Sequence, residues 1–371
     1  MNPKYARVLA LFLCLAARLS LGAAASATEA RQADSQHGGP MLTVLCYHHV
    51  DSSRRSNYSV TSAQLEAQIG ALRAAGFIFV DSAAVEAFYE GRGELPAKAA
   101  LVTFDDGNLD VYEHAYPLLK RLGVPFTVFV YPNAVNRGHE IRCMSWEDLR
   151  DLADHGVGVG SHSMSHPFLT LPPKSVTDKA AYDAWLTREL IDSKTEIEAK
   201  LGRPVTEFAV PFGAFDAYIR DRIKAAGYAL AFNVHGVNSD SRADPWNLGR
   251  VIVLSNLSKD GFLELAASPP LYFAKQNPAD LSRVDAELTS FAFELDGADG
   301  LDEKTVQGHV TSFPGLELRH VLEGDLFVET LDLRRPAFYE AHVSALDKTG
   351  RLRRGAWLFI YEKRTPDYLK P

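Results

Sequence analysis

Two adjacent carboxylates, Asp105 and Asp106, end the apolar run Ala99–Phe104 and are followed by Gly107. Charges sharing one pocket repel each other unless a cation or a hydrogen-bond donor relieves them, so such a pair binds metal or divides into different roles. The plainer alternative is a solvated turn, for which Asp and Gly are ordinary residues. A second cluster, Ser161-His162-Ser163-Met164-Ser165-His166, places two imidazoles four residues apart. On one helical turn both would project from the same side, and neutral imidazole is a common ligand for zinc and similar ions. Pro167 argues against a long helix, so a turn-like loop is expected. Alone, this spacing is weak evidence. With a carboxylate, two histidines make a facial metal site with open positions.

Strands are expected at Leu42–Tyr47, Phe77–Val80, Ala99–Phe104, Phe126–Tyr131, Val157–Gly160, Phe208–Val210, Tyr228–Val234 and Val251–Leu254. Helices alternate with them. One is capped by Thr61 or Ser62 and stopped by Gly76, and one begins at Ser82. The others are Val111–Leu122, one from Ser145 to near Gly156, Asp178–Leu201, and one capped by Asp216. Such alternation implies parallel β/α units, and this number of them predicts an α/β fold, a (β/α) barrel that is distorted or seven-stranded. Tyr47-His48-His49, Asp105-Asp106, Ser161–His166 and Pro211-Phe212-Gly213 all follow predicted strands, on the rim where β/α barrels build active sites.

Lys4 and Arg7 precede the apolar run Val8–Ala17, and Ala25-Ser26-Ala27 offers a small-residue cleavage site. Residues 1–27 are therefore expected to be a signal peptide, its apolar part too short for a membrane span. The mature protein would be periplasmic or secreted; an uncleaved anchor is the alternative. Residues 28–40 read as a flexible leader and 41–271 as the barrel. With 371 residues, 46% hydrophobic and 23% charged, the chain can form one large domain and a small one. A formal net charge of −8 argues against a nucleic-acid footprint. Cys14 leaves with the signal, and Cys46 reads as a buried thiol, a disulfide with Cys143 being the alternative.

After Ser268-Pro269-Pro270 short alternating segments appear: Ser290–Leu295, Thr305–Ser312, Leu316–Leu322, Leu326–Leu333, Ala337–Leu346 and Ala356–Tyr361. Residues 272–371 are expected to form a small antiparallel β-sandwich, an accessory domain without a catalytic constellation.

Thr103-Phe104-Asp105-Asp106-Gly107, together with Ser161–Pro167, resembles the first two motifs of the polysaccharide deacetylases, the NodB-homology or family 4 carbohydrate esterases. Pro211-Phe212-Gly213 resembles part of their third. The resemblance spans roughly residues 40–270 and implies that Asp105 is the general base. It also implies that Asp106, His162 and His166 hold a divalent metal, with Zn2+ favoured over Co2+, Ni2+ or Fe2+. Most members carry an acid histidine in a late Leu-x-His motif, but Val251–Asn256 contains no histidine. Tyr47-His48-His49-Val50 is instead similar to the permuted arrangement of biofilm poly-β-1,6-N-acetylglucosamine deacetylases, which implies His48 as the acid. His49 would point the opposite way if the strand pleat persists.

Ala209 stands where many relatives have an arginine that orients the base, and Arg250 is the nearest substitute. The resemblance further implies an oxyanion donor near Phe212. Phe212, Gly213, Trp246 and Arg250 are the candidate oxyanion or substrate residues, Trp246 as the aromatic of the polar segment Asn238–Asn247. Asp240 and Asp244 are candidates for a fourth motif. His114, His139, His155 and His235 read as surface or structural.

The expected reaction is N-deacetylation of an exported N-acetylhexosamine polysaccharide, best matched by poly-β-1,6-N-acetyl-D-glucosamine, with release of acetate. Export machinery is a candidate partner. The alternatives are an inactive polysaccharide-binding barrel, a deacetylase of peptidoglycan or chitin-like oligomers, and a non-haem iron oxygenase, which also uses two histidines and a carboxylate.

Overall fold

A computed structural model describes residues 39–51, 53, 56–284, 290–312, 322–323, 326–330 and 337–361. The expected signal peptide, nearly all of the leader, and the strand expected at Leu316–Leu322 except its last residue lie outside the described residues. No helix among the described residues is long and apolar enough to cross a membrane.

Seven parallel strands form one sheet in the order Val251–Ile252, Met41–Tyr47, Lys98–Phe104, Phe126–Val130, Gly158–Ser161, Glu207–Ala209 and Leu230–Phe232. The short Ile78–Phe79 strand pairs against Lys98–Phe104. Leu248 bridges in parallel to Phe232, and Val251 pairs with Leu45, so residues 248–252 join the last strand to the first. The result is the distorted seven-stranded barrel expected from the alternation. Every residue of Met41–Tyr47 and Phe126–Val130 is buried, which explains why these segments read as continuous apolar runs. Leu42, Val44, Leu101, Phe129 and Phe232 fill the interior, while Met41, Leu45, Val102 and Val128 face the helices. Gly160 is required by that packing, because a Cβ there would lie 2.4 Å from the Phe129 ring.

Helix starts follow local chemistry. Thr61 and Gln64 form a capping box, as do Ser145 and Asp148, and Asp216 caps Ala217–Ala225 through the Ile219 N–H. Two expected helices depart from regularity. Val111–Ala115 and Arg188–Asp192 are π turns, and the second splits the long helix into Lys179–Thr187 and Ser193–Leu201. Such turns redirect side chains and recur at functional sites.

The C-terminal region contains two four-stranded sheets. One is antiparallel and starts with Phe273–Asn277. The other is mixed, correcting the wholly antiparallel expectation: Ser282–Val284 runs parallel to Leu352–Tyr361. Phe293 of the first sheet and Val310, Tyr339, Trp357 and Phe359 of the second share one core. The barrel and this module share buried groups. Leu281 and Leu358 join the barrel core, the Ala217 N–H donates to Leu281 O at 2.9 Å, and Arg283 pairs with buried Asp216.

Candidate active site

The Lys98–Phe104 strand carries the two carboxylates to the rim. The Asp105 N–H still donates to Tyr47 O at 2.9 Å, extending the ladder. At Asp106 the backbone turns left-handed, with φ 70°, and Gly107 follows at φ 65°. The turn separates the two acids: Asp105 is 2% exposed, whereas the Asp106 side chain is 29% exposed.

Asp105 is gripped from behind by Arg250, which is fully buried at 0% exposure. The guanidinium donates to both carboxylate oxygens, at 2.6 and 2.7 Å, and also to Thr103 Oγ1 and Asn233 O. Its plane lies over the Phe129 ring, 5.4 Å from the centroid. Burial alone would raise the Asp105 carboxyl, but Arg250, His162 and the hydrogen bonds hold it well below the usual carboxylate range. The Cys46 thiol donates to Oδ2 over 3.4 Å. Cys46 and Cys143 are both free and buried.

Asp106 converges with the histidine loop. His166 Nε2 lies 3.4 Å and His162 Nε2 3.8 Å from Asp106 Oδ1. One ligand atom from each of the three residues lies within 4.8 Å of the other two. His162 Nδ1 donates to Ala209 O at 2.7 Å, which leaves Nε2 with its lone pair toward Asp106. That outer hydrogen bond is the usual way a ligating imidazole is oriented. Burial lowers the His162 pKa to about 4, so the ring is neutral and able to coordinate. These three donors fit a divalent cation.

The loop is not helical. Ser163 and His166 have φ of 65° and 57°, a conformation non-glycine residues seldom adopt. Buried Glu189 holds it, accepting the N–H groups of Met164 (3.1 Å) and Ser165 (2.9 Å) and the Ser165 hydroxyl (2.8 Å). Glu189 belongs to the Arg188–Asp192 π turn. Sequence reasoning missed it, because glutamate in an amphipathic helix reads as solvated.

His48 interrupts the strand between Tyr47 and His49, and a ring nitrogen lies within 4.8 Å of Asp105 and Cys46 ligand atoms. Burial lowers its pKa, partly opposed by Asp105 and Asp106. His49 turns elsewhere, its Nδ1 lying 2.8 Å from Asp110 Oδ2.

Phe212 is 38% exposed at the rim, with φ 59°. Its ring centroid lies 4.6 Å from that of His166, and Phe168 stacks on it at 3.8 Å. Gly213 corrects an expectation: its N–H is spent on Val210 O at 2.9 Å, so its part is to admit the turn. At φ 70°, a Cβ on Gly213 would meet Val234 Cγ2 at 2.5 Å. Arg250 is likewise corrected as a substrate or oxyanion residue, since it is buried behind Asp105 and engaged with it. Trp246 does not join the site. Its Nε1 donates to Tyr228 O at 2.7 Å, before the Leu230–Phe232 strand, so it sits at the opposite end of the barrel. Asp240 pairs with Arg242 and accepts the Tyr272 hydroxyl, and Asp244 pairs with Arg220; neither approaches the triad. His139 pairs with Asp148 and His155 with Asp151, and His235 is half-buried.

A family model described as polysaccharide deacetylase matches residues 92–231. The poly-β-1,6-N-acetyl-D-glucosamine N-deacetylase of Staphylococcus aureus (strain MRSA252) is 25% identical over 227 residues, 60% of this chain and 76% of that protein. The structure of IcaB from Ammonifex degensii aligns with a TM-score of 0.52 at 30% identity, covering 62% of this chain and 97% of that one. The Streptococcus pyogenes deacetylase PplD in complex with acetate shares the fold, with a TM-score of 0.55 at 20% identity over 62% of this chain and 99% of that one. An identity of 30% across nearly the whole of a solved relative, with the family pattern laid over the segments that carry Asp105, Asp106, His162, His166 and Phe212, settles the assignment: the chain belongs to the polysaccharide deacetylases of carbohydrate esterase family 4.

Proposed function

We propose that this protein is a metal-dependent N-deacetylase of poly-β-1,6-N-acetyl-D-glucosamine, with Asp106, His162 and His166 as metal ligands, Asp105 as base and His48 as acid. The reading rests on one observation: a three-donor cluster stands beside an arginine-held carboxylate and a half-buried imidazole on a single rim. A bound divalent cation would supply Lewis acidity to the acetyl carbonyl and to the attacking water. Nitrogen and carboxylate donors suit Zn2+, with Co2+, Ni2+ or Fe2+ as alternatives.

Asp105, held ionised by Arg250, takes a proton from the water as its oxygen bonds to the acetyl carbon. The Phe212 backbone N–H is the candidate protein donor to the developing oxyanion. His48 then protonates the sugar nitrogen as the C–N bond breaks, because expulsion of an amide anion is prohibitive. Its lowered proton affinity makes it a ready donor once charged. The products are acetate and a free glucosamine unit.

The β-1,6 polymer is supported by His48 directly following Tyr47, and by similarity to the poly-β-1,6-N-acetyl-D-glucosamine N-deacetylase of Staphylococcus aureus. Export is supported by residues 1–27, and a periplasmic or secreted protein would meet its polymer beside the export machinery. The test is acetate release from β-1,6 and β-1,4 N-acetylglucosamine oligomers, with Zn2+ and with a chelator, using wild type and Asp105→Asn. Preference for β-1,6 oligomers, lost in both controls, is expected. Faster turnover of β-1,4 oligomers would overturn the substrate assignment, and activity indifferent to chelation would overturn the metal. Cell fractionation checks the location, and a cytoplasmic pool alone would sink it.

A further inference from the structure

A second donor cluster adjoins the first without sharing a residue with it. Cys46, His48 and Asp105 each offer one ligand atom within 4.8 Å of the other two. Cys46 is the penultimate residue of the Met41–Tyr47 strand, with Sγ 3.4 Å from Asp105 Oδ2. His48 Nδ1 is buried without a hydrogen-bond partner among the described residues. Zinc bonds of about 2.3 Å to sulfur and about 2.0 Å to nitrogen and oxygen put tetrahedral ligands about 3.3–3.6 Å apart. The sulfur–oxygen pair already stands at that separation.

We propose that Cys46, His48 and Asp105 form a second, thiophilic cation site, filled by Zn2+ or Cd2+ when these ions exceed one equivalent, and that its occupation inhibits the enzyme. Binding forms metal bonds to sulfur, nitrogen and oxygen and releases the Cys46 thiol proton to solvent, with no change of oxidation state. Arg250 keeps its bond to Asp105 Oδ1, which anchors the carboxylate, and gives up its 2.7 Å bond to Oδ2 as that oxygen goes to the ion. The sulfur ligand selects Zn2+ and Cd2+ over Mg2+ and Mn2+. Inhibition rests on the proposed roles of Asp105 and His48, since the ion occupies base and acid together. Binding itself does not rest on those roles.

The test uses the purified mature chain stripped of metal and titrated with Cd2+ and with Co2+. Two equivalents and a thiolate-to-metal charge-transfer band are expected. The band should be lost in both Cys46→Ala and Cys46→Ser and kept in Cys143→Ala. In the acetate assay Zn2+ should activate up to one equivalent and inhibit beyond it, with the inhibitory concentration raised at least about tenfold in Cys46→Ser. A single equivalent in wild type, or a band that survives loss of Cys46, would overturn the proposal. A band tied to Cys46 in a protein that releases no acetate at any zinc level would support the site while overturning the catalytic reading.

Discussion

Replacing Arg250 with glutamine tests the proposed base and its support together. Arg250 is fully buried, and the Asp105 side chain is 3% exposed, so water cannot take over from the lost guanidinium. Removing one partner of a buried ion pair costs about 3–5 kcal/mol, because the other charge stays buried without compensation. At about 4 kcal/mol the folded-to-unfolded ratio falls roughly a thousandfold. In wild type the Asp105 carboxyl is held below its unfolded value of ~3.9, so its contribution is present above that value and lost as pH falls through the lower folded one. In Arg250→Gln the sign reverses. Burial now dominates, the folded value rises above ~3.9, and protonation on acidification narrows the gap to wild type.

Urea unfolding should therefore show a loss of about 3–5 kcal/mol near neutral pH that shrinks in acid. The double variant Arg250→Gln/Asp105→Asn should recover much of that loss, since it leaves no orphaned charge. With Asp105 still present, the acid limb of kcat/KM should move upward by at least about one pH unit. An acid limb that stays in place, together with a double variant no more stable than the single one, would refute this account of Arg250.

Other perturbations reach different parts of the site. Gly213→Ala puts a Cβ 2.5 Å from Val234 Cγ2 at φ 70°, and should cost about 1–3 kcal/mol of strain with a fall in kcat/KM; unchanged thermal unfolding would count against it. Glu189→Ala strips three hydrogen bonds from the histidine loop and should weaken metal affinity about 10–100-fold in competition with a chromophoric chelator, with circular dichroism retained. Asp280 is raised by burial to about 6, so its relative contribution exists below ~3.9 and is lost as pH rises through about 6. Asp280→Asn keeps an acceptor for the Leu358 N–H. It should raise the thermal midpoint above pH 7 and flatten the slope between about pH 4 and 6 by up to about 3 kcal/mol; a calorimetric slope like that of wild type would sink the assignment.

The barrel was legible because its strands are buried on both faces and its helices carry side-chain caps, signals that act within a few residues. The convergence of three donors was legible for a related reason: Asp106, His162 and His166 have types suited to one task, at the ends of strands recognisable separately. Arg250 could be named only as the nearest arginine, because its partner lies 145 residues earlier and the pairing depends on how residues 248–252 join the barrel. Glu189 gave no warning, since only a π turn brings it inward. Trp246 was misjudged because a polar neighbourhood says nothing about which end of a barrel a loop occupies. Left-handed backbone at Asp106, Ser163, His166 and Phe212 had no sequence signature, as none is glycine. Phe273–Asn277 and Ser282–Val284 escaped notice because they are exposed or half-buried and lack apolar alternation.

The sharing of Leu281, Leu358 and the Arg283–Asp216 pair between barrel and β module bears on how this chain can be cut. A gene fragment ending at residue 271 would delete both leucines, the acceptor of the Ala217 amide and the counter-charge of Asp216, all at the helix that follows the Phe212 turn. Such a fragment would carry every proposed catalytic residue and still lack the underside of one loop of the proposed site. Shuffling the tail onto another deacetylase would therefore require its buried contacts to travel with it.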